Sequence, residues 1–256
     1  MHRYPVSAVF LFSVLVGGAA IPARAGTFEV KGPEIEKGES EIATNHALQS
    51  GIPANADRVG HGYELLAGYA FTSHFKASIK AGLDTPIADN SRVSVVGIEA
   101  QAYFGKIAPS ISWGWFTAID ARARRNETNT IIFGPLIKFG DDKLALTLNP
   151  LFESTFGPNY DSGTTFAYAV GLKGEVRQGF AVGVEAFGSI PEIGDAPGTS
   201  VHEHRIGPVL YFDREVSPAQ EGGRSAKKLS LEIGGYVGLT EATPAWTGKI
   251  KAALTW

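Results

Sequence analysis

The residues with the clearest chemical potential are charged side chains that recur at alternate positions within apolar segments. Lys249 and Lys251 flank Ile250, for example, and Glu232 lies between two apolar residues. In an extended chain, side chains two positions apart share a face, so these segments predict strands with one charged face. The candidate lining of that face is Lys76, Lys80, Glu99, Asp120, Arg122, Lys138, Glu153, Lys173, Glu175, Arg177, Glu185, Arg205, Glu232, Lys249 and Lys251.

This charged face is compatible with two kinds of interior. Nine bases against six acids give a slightly cationic lining, which suits a pore for small hydrophilic or anionic solutes. The alternative is a salt-bridged network that fills a narrow lumen and conducts nothing. Near a predicted outer loop, Arg122, Arg124 and Arg125 are either solvated or bind lipopolysaccharide phosphates.

Histidines offer the main alternative chemistry. His202 and His204 are two residues apart, a spacing that can hold a metal ion, but the sequence supplies no third ligand. A barrel enzyme acting on membrane lipid would need a Ser–His pair, and no G-x-S-x-G motif accompanies His204. We therefore predict no catalytic residue, no metal ligand and no cofactor, and a chain that is not an enzyme.

The elements that position the charged face are strands of unusual length. Alternation predicts about 12 segments, with 10 or 14 as alternatives. They are 36–48, 62–73, 75–85, 92–105, 110–124, 129–140, 143–156, 164–177, 180–190, 203–216, 228–239 and 245–256. Short and longer links alternate between them, with exceptions at 217–227 and 240–244. Both features are typical of an all-β, antiparallel, up-and-down transmembrane β-barrel.

Aromatic residues support this prediction independently. One group lies on the apolar face near the same strand ends, as membrane-interface girdles do. It comprises Phe71, Phe75, Phe104, Trp113, Phe139, Phe180, Phe212 and Trp256. Trp246 with Phe152 or Phe166 is a candidate for the opposite rim. A soluble β-sandwich would instead hold such residues in mid-strand.

Composition excludes several classes of protein. The 256 residues contain no cysteine, which excludes disulfides, thiolate metal sites and a cysteine nucleophile. The net charge is −3. The sequence therefore lacks the excess of basic residues that is typical of nucleic-acid-binding domains.

The N-terminus predicts export. Val6 to Ala20 is apolar and is followed by an A-x-A site, the pattern of a signal peptide cleaved after Ala25. We expect a periplasmic N-terminal segment at 26–35 and an outer-membrane barrel at 36–256, located in a Gram-negative bacterium. The expected partners are outer-membrane lipid, lipopolysaccharide, the outer-membrane insertion machinery and an unidentified small solute.

Two C-terminal stretches resemble an outer-membrane family. They are Ile206-Gly-Pro-Val-Leu-Tyr-Phe212 and Gly238-Leu-Thr-Glu-Ala-Thr-Pro-Ala-Trp246. They are similar to the end of the MetA-pathway of phenol degradation family, whose pattern reads G-L-T-D-A-T-P-D before an aromatic-ended strand. Glu241 and Ala245 replace the two acids of that pattern. The resemblance implies a barrel of about 12 strands with a transport role.

The expected function is a porin-like channel for passive passage of small solutes. A plugged structural barrel and a lipid-modifying barrel enzyme are the alternatives.

Overall fold

The computed structural model describes residues 28–52, 55–84, 92–123, 128–157, 163–195, 198–217 and 226–256. The predicted signal peptide, Arg124 and Arg125 lie outside these residues. No helix in the described part of the chain has the length and apolar character needed to cross a bilayer.

Twelve strands form one closed antiparallel barrel, in which each strand pairs with its sequence neighbours and β1 pairs with β12. This confirms the predicted architecture. The strands are β1 (Ser40–Ile52), β2 (Asn55–Thr72), β3 (Phe75–Asp84), β4 (Arg92–Ala108), β5 (Ile111–Arg122), β6 (Asn129–Gly140), β7 (Leu144–Phe156), β8 (Thr164–Arg177), β9 (Phe180–Ile190), β10 (Glu203–Ser217), β11 (Lys227–Gly238) and β12 (Trp246–Thr255).

The alternation of side chains gives the barrel two different walls. Along β10, Arg205 and Val209 are buried inside, whereas Ile206 and Leu210 are exposed on the outside. An apolar outer wall suits lipid, and closure leaves no strand edge with unpaired backbone groups.

We call the barrel end that carries Ser40 and Thr255 the base, and the opposite end the rim. Four of the five hairpins at the base close within two or three residues, and Asp141 organises one of these turns. Its carboxylate accepts hydrogen bonds from the backbone N–H groups of Leu144 and Lys143. These two bonds hold the pKa of Asp141 below its usual value.

The first hairpin differs from the predicted one. We expected a strand from residue 36 and a long polar link over 49–61, but β1 begins at Ser40, and only residues 53–54 separate it from β2. The alternation over 36–49 is poor because Ala43 and Ala47 face the interior, so polarity does not distinguish the two faces there. The predicted long link at the base is present, as residues 218–226 separate β10 from β11.

One glycine permits β10 and β11 to approach closely. A Cβ at Gly207 would lie 1.8 Å from the Gly235 carbonyl oxygen and 2.7 Å from the Tyr236 Cα. We expect Gly207→Ala to destabilise the barrel by about 1–3 kcal/mol, because overpacking forces the backbone apart. The measurement is gel electrophoresis in SDS of samples heated beforehand to increasing temperatures. The folded barrel gives a fast-migrating band, and the temperature at which this band is lost is recorded.

The matched control for this prediction is Gly235→Ala, because a Cβ there meets no atom within 4 Å. Equal loss temperatures for the two variants would contradict the proposed close approach.

Candidate pore and the segment inside it

The inner wall of the barrel is polar and charged. In β12, Thr247 and Lys249 are 1% and 2% exposed, whereas Trp246 and Ile250 on the other face are 46% and 47% exposed. Buried charged groups need partners. On the inner wall those partners come from neighbouring strands and from the chain's own N-terminal residues.

A tight turn at the base sends the chain that precedes β1 into the barrel. Gly38 has φ +86°, a left-handed conformation that favours glycine. Its N–H donates to the Ala70 carbonyl at 2.8 Å, and the Glu39 N–H donates to the Glu36 carbonyl at 3.1 Å. Residues 28–34 consequently lie inside the barrel, and we call them the lumen segment. We expected them in the periplasm, but their charged and polar groups pair with the inner wall.

Two amide side chains of the wall bind the backbone of the lumen segment. Asn149 Oδ1 accepts from the Lys31 N–H at 2.8 Å, and Asn149 Nδ2 donates to the Lys31 carbonyl at 2.9 Å. Gln101 Nε2 donates to the Gly32 and Pro33 carbonyls at 3.0 and 3.1 Å. Three successive residues are thus held through main-chain groups.

The carboxylates of the lumen segment meet wall cations at two levels. Nearer the base, Glu34 Oε1 accepts from Ser112 Oγ at 2.6 Å and lies 3.4 Å from Lys138 Nζ. Deeper in the barrel, Glu29 pairs with Lys251. The segment therefore joins β5 and β6 on one side to β12 on the other.

Lys31 joins the lumen segment to a cluster of buried charges. Its Nζ lies 2.6 Å from Glu29 and 3.1 Å from Glu99. Glu99 is shared with Lys80, which is 6% exposed. Lys80 Nζ lies between 3.0 and 3.7 Å from three carboxylates, those of Asp120, Glu99 and Glu64.

Phe28 anchors the inner end of the lumen segment. Its side chain is 8% exposed and meets the Phe187 ring edge-on, with the centroids 5.6 Å apart. The Arg205 guanidinium carbon lies 4.5 Å from the centre of the Phe28 ring. Phe28 also belongs to a buried cluster with Ala47 and Tyr236, so this residue fills a pocket in the half of the barrel nearer the rim.

A second buried network centres on Glu185. Its carboxylate accepts from Tyr211 at 2.9 Å, from Tyr236 at 2.5 Å and from Lys249 Nζ at 2.8 Å. Lys249 also lies 3.1 Å from Glu232. This network ties β9, β10, β11 and β12 together across the lumen side of the sheet.

Beside the lumen segment there is a cavity of about 160 Å³, room for a few water molecules. Glu41 and Lys76 line it and pair at 2.6 Å. Lys76 also lies 3.6 Å from Glu39 at the base. Burial raises the pKa of the Glu39 carboxyl, and Lys76 opposes this rise only in part. The cavity is an unfilled part of the lumen beside the segment.

Solved structures with a similar fold are outer-membrane proteins. The KdgM porin in complex with disordered oligogalacturonate matches with a TM-score of 0.50 at 14% identity, over 84% of this chain and 98% of that one. This chain has the porin fold. The outer membrane protein Omp33 of Acinetobacter baumannii has a TM-score of 0.42 at 9% identity, over 88% of this chain and 99% of that one. No protein-family model and no curated protein matches the chain.

The porin fold brings most of the predicted lining residues into ion pairs. Paired ones are Lys76, Lys80, Glu99, Asp120, Lys138, Lys173, Glu185, Arg205, Glu232, Lys249 and Lys251. Glu153 is buried and Arg122 is half-buried near the rim. Glu175 and Arg177 are exposed at the base. A register shift between them interrupts the alternation, and Arg177 lies over the Phe180 ring instead.

Several residues of the site were absent from the sequence prediction. Glu41 and Glu64 on the wall, with Glu29 and Glu34 on the lumen segment, add four carboxylates against the single ammonium of Lys31. Among the described residues the inward-facing charges are therefore close to balance, whereas the predicted lining alone is slightly cationic. Glu64 was missed because Leu66, two positions further on, also faces inward. The inner face of β2 is therefore not uniformly polar, and alternation does not identify it. Asn149 was missed because the prediction considered only charged side chains.

The predicted aromatic girdle lies on the outer wall. Six of its members are between 37% and 55% exposed, namely Phe71, Phe75, Phe104, Phe139, Phe212 and Trp256. Phe180 packs 5.1 Å from Phe212, and Trp113 packs 4.7 Å from Phe104. Together with Phe71 and Phe75, whose rings are 6.0 Å apart, these residues form three pairs of packed rings beside the base.

His204 also lies on the outer wall. Its Nδ1 hydrogen-bonds the Tyr168 hydroxyl at 2.9 Å, and the His202 ring lies 6.0 Å away. Within the described ranges no group of three or more metal-ligating side chains comes together. His204 thus belongs to the aromatic surface near the rim and not to the lumen.

Proposed function

We propose that this protein is an outer-membrane channel for passive passage of small hydrophilic solutes, gated by its own lumen segment. The observation that carries the proposal is a closed 12-strand barrel whose charged inner wall holds a tethered segment and a residual cavity. A lumen lined with paired charges is polar enough to pass hydrated solutes. Its barrel of 12 strands lies between filled 8-strand and open 16-strand barrels.

The location follows from the same features. An apolar outer wall with an aromatic girdle is suited to a bilayer, and the predicted signal peptide leads to export. We therefore place the protein in the outer membrane of a Gram-negative bacterium, with the base towards the periplasm because short turns face that side. In this location we expect the outer wall to contact lipopolysaccharide, and we expect the outer-membrane insertion machinery to insert the barrel. Membership of the MetA-pathway family stays a prediction.

The second candidate is a plugged structural barrel. The lumen segment favours it, since Lys31, Glu29 and Phe28 are held by ion pairs, main-chain hydrogen bonds and ring contacts. The two functions differ in the mobility of the lumen segment. In a channel the segment must leave the inner wall, whereas in a plugged barrel it stays bound there.

A disulfide that staples the lumen segment to the wall tests this difference. The Val30 Cβ lies 3.5 Å from the position of a Cβ at Gly171, within the range of about 3.5–4.5 Å found in disulfides. The chain has no other cysteine. For Val30→Cys/Gly171→Cys we expect oxidation to lower the frequency of channel opening in a lipid bilayer by about tenfold or more, equivalent to about 1.4 kcal/mol.

Addition of reductant should restore the openings. Val30→Cys alone is the control, and its openings should respond to neither oxidant nor reductant. If the reduced double variant stays silent while its folded gel band is intact, the plugged barrel is the better account. Equal opening of the oxidised and reduced forms would show that the lumen segment is not the gate.

A further inference from the structure

We infer that the inner wall is a binding site for short peptides, which the lumen segment occupies in cis. This inference names the solute class and rests on the proposed channel function. Its basis is the way the wall contacts residues 28–34. The wall contacts both the main chain and the side chains of this segment, as a peptide-binding site contacts its ligand.

The main-chain contacts are the first argument. Asn149 is 2% exposed and pairs with both the N–H and the carbonyl of Lys31, as a residue on a neighbouring strand would. Gln101 donates to the next two carbonyls. Main-chain hydrogen bonds of this kind give affinity for peptides whatever their sequence, and pockets for side chains add selectivity.

The side-chain contacts supply the pockets. An aromatic pocket formed by Phe187 and Arg205 holds Phe28. Lys251 receives an acidic side chain, and Glu99 receives a basic one. The order of these pockets matches a peptide with an aromatic residue, then an acid, then a base two positions after the acid.

The lumen segment has the attributes of a displaceable ligand. With the predicted cleavage after Ala25, only two residues precede Phe28, so the segment is tethered at its C-terminal end alone. The Glu36–Glu39 turn at the base is that tether. A short tether gives an effective concentration in the millimolar range. A free peptide can compete with the segment only at a higher concentration, or after the segment's own affinity for the wall has been lowered.

The experiment uses the full chain with Phe28→Ala, which weakens the lumen segment. The probe is the synthetic peptide Phe-Glu-Val-Lys-Gly-Pro-Glu, the sequence of residues 28–34, with a fluorophore at its C-terminus. Binding is followed by fluorescence anisotropy in detergent. We expect the Phe28→Ala protein to bind the probe at least tenfold more tightly than the oxidised Val30→Cys/Gly171→Cys protein, whose site is covalently occupied.

Two comparisons make the result specific. A scrambled peptide of the same composition should bind at least tenfold more weakly. Asn149→Leu, combined with Phe28→Ala, should lower affinity for the probe about tenfold while the folded gel band is retained. Should that variant not fold, the stapled protein supplies the same test of the site.

The outcomes separate this inference from the channel proposal. Specific binding by a protein that never conducts would support the peptide site and overturn the proposed function. Conductance without binding, or equal binding of the scrambled peptide, would overturn the peptide site and leave the channel intact.

Discussion

Phe28→Ala is expected to open the channel more than any other single change in the lumen segment. Truncation removes the ring packed against Phe187 and beneath Arg205. Loss of a buried Phe side chain costs about 3–5 kcal/mol in protein cores. At the lower end of that range, the undocked population of the segment rises roughly a hundredfold. The measurement is the frequency of openings in a planar lipid bilayer.

Phe71→Ala is the matched control for this experiment. It makes the same chemical change at a ring that is 55% exposed on the outer wall, so the frequency of openings should not change. Equal increases in both variants would indicate that loosening of the barrel, and not release of the lumen segment, produces the openings.

Glu185→Ala should cause the largest loss of barrel stability. Glu185 is 1% exposed, and its removal leaves the Tyr211 and Tyr236 hydroxyls without the acceptor they now share. Lys249 would keep only Glu232 as an acidic partner. Breaking a buried ion pair costs about 3–5 kcal/mol, so the folded gel band should be lost at a clearly lower temperature.

Glu175→Ala provides the comparison. Glu175 was predicted in the lumen but is exposed at the base, and exposed substitutions change stability by about 0.5 kcal/mol or less. If the two variants lost their folded bands at the same temperature, the Glu185 network would have no special part in barrel stability. Glu185→Gln should fall between them, since it keeps the size of the side chain but loses the charge.

Much of the barrel is predictable because the strand signal is local. The predicted bounds of 129–140, 164–177 and 180–190 are those of β6, β8 and β9. Each of these segments shows its two faces within a few residues. Prediction was poorest at β1 and β2, where Ala43, Ala47 and Leu66 face inward and polarity no longer separates lumen from lipid.

The direction of a side chain is predictable in the same way, but its partner is not. Alternation places Lys249 and Glu185 on the inner face, yet the two residues are 64 positions apart and meet at 2.8 Å. Their contact depends on register around four strands. The bulge beyond Glu175 is a further example, because one extra residue reversed the expected direction of Arg177.

The sequence by itself determined that this protein has long amphipathic strands, that about 12 of them close into a membrane barrel, and that most of the charged residues it singled out face inward. These properties follow from a two-residue period and from the need to satisfy every backbone group in lipid. Only the tertiary structure decided what occupies the lumen. Glu29 and Lys251 are separated by 222 positions, and they come together only when β12 closes against β1. The lumen segment has no periodic signal, because its position depends on contacts with a wall that local sequence does not contain.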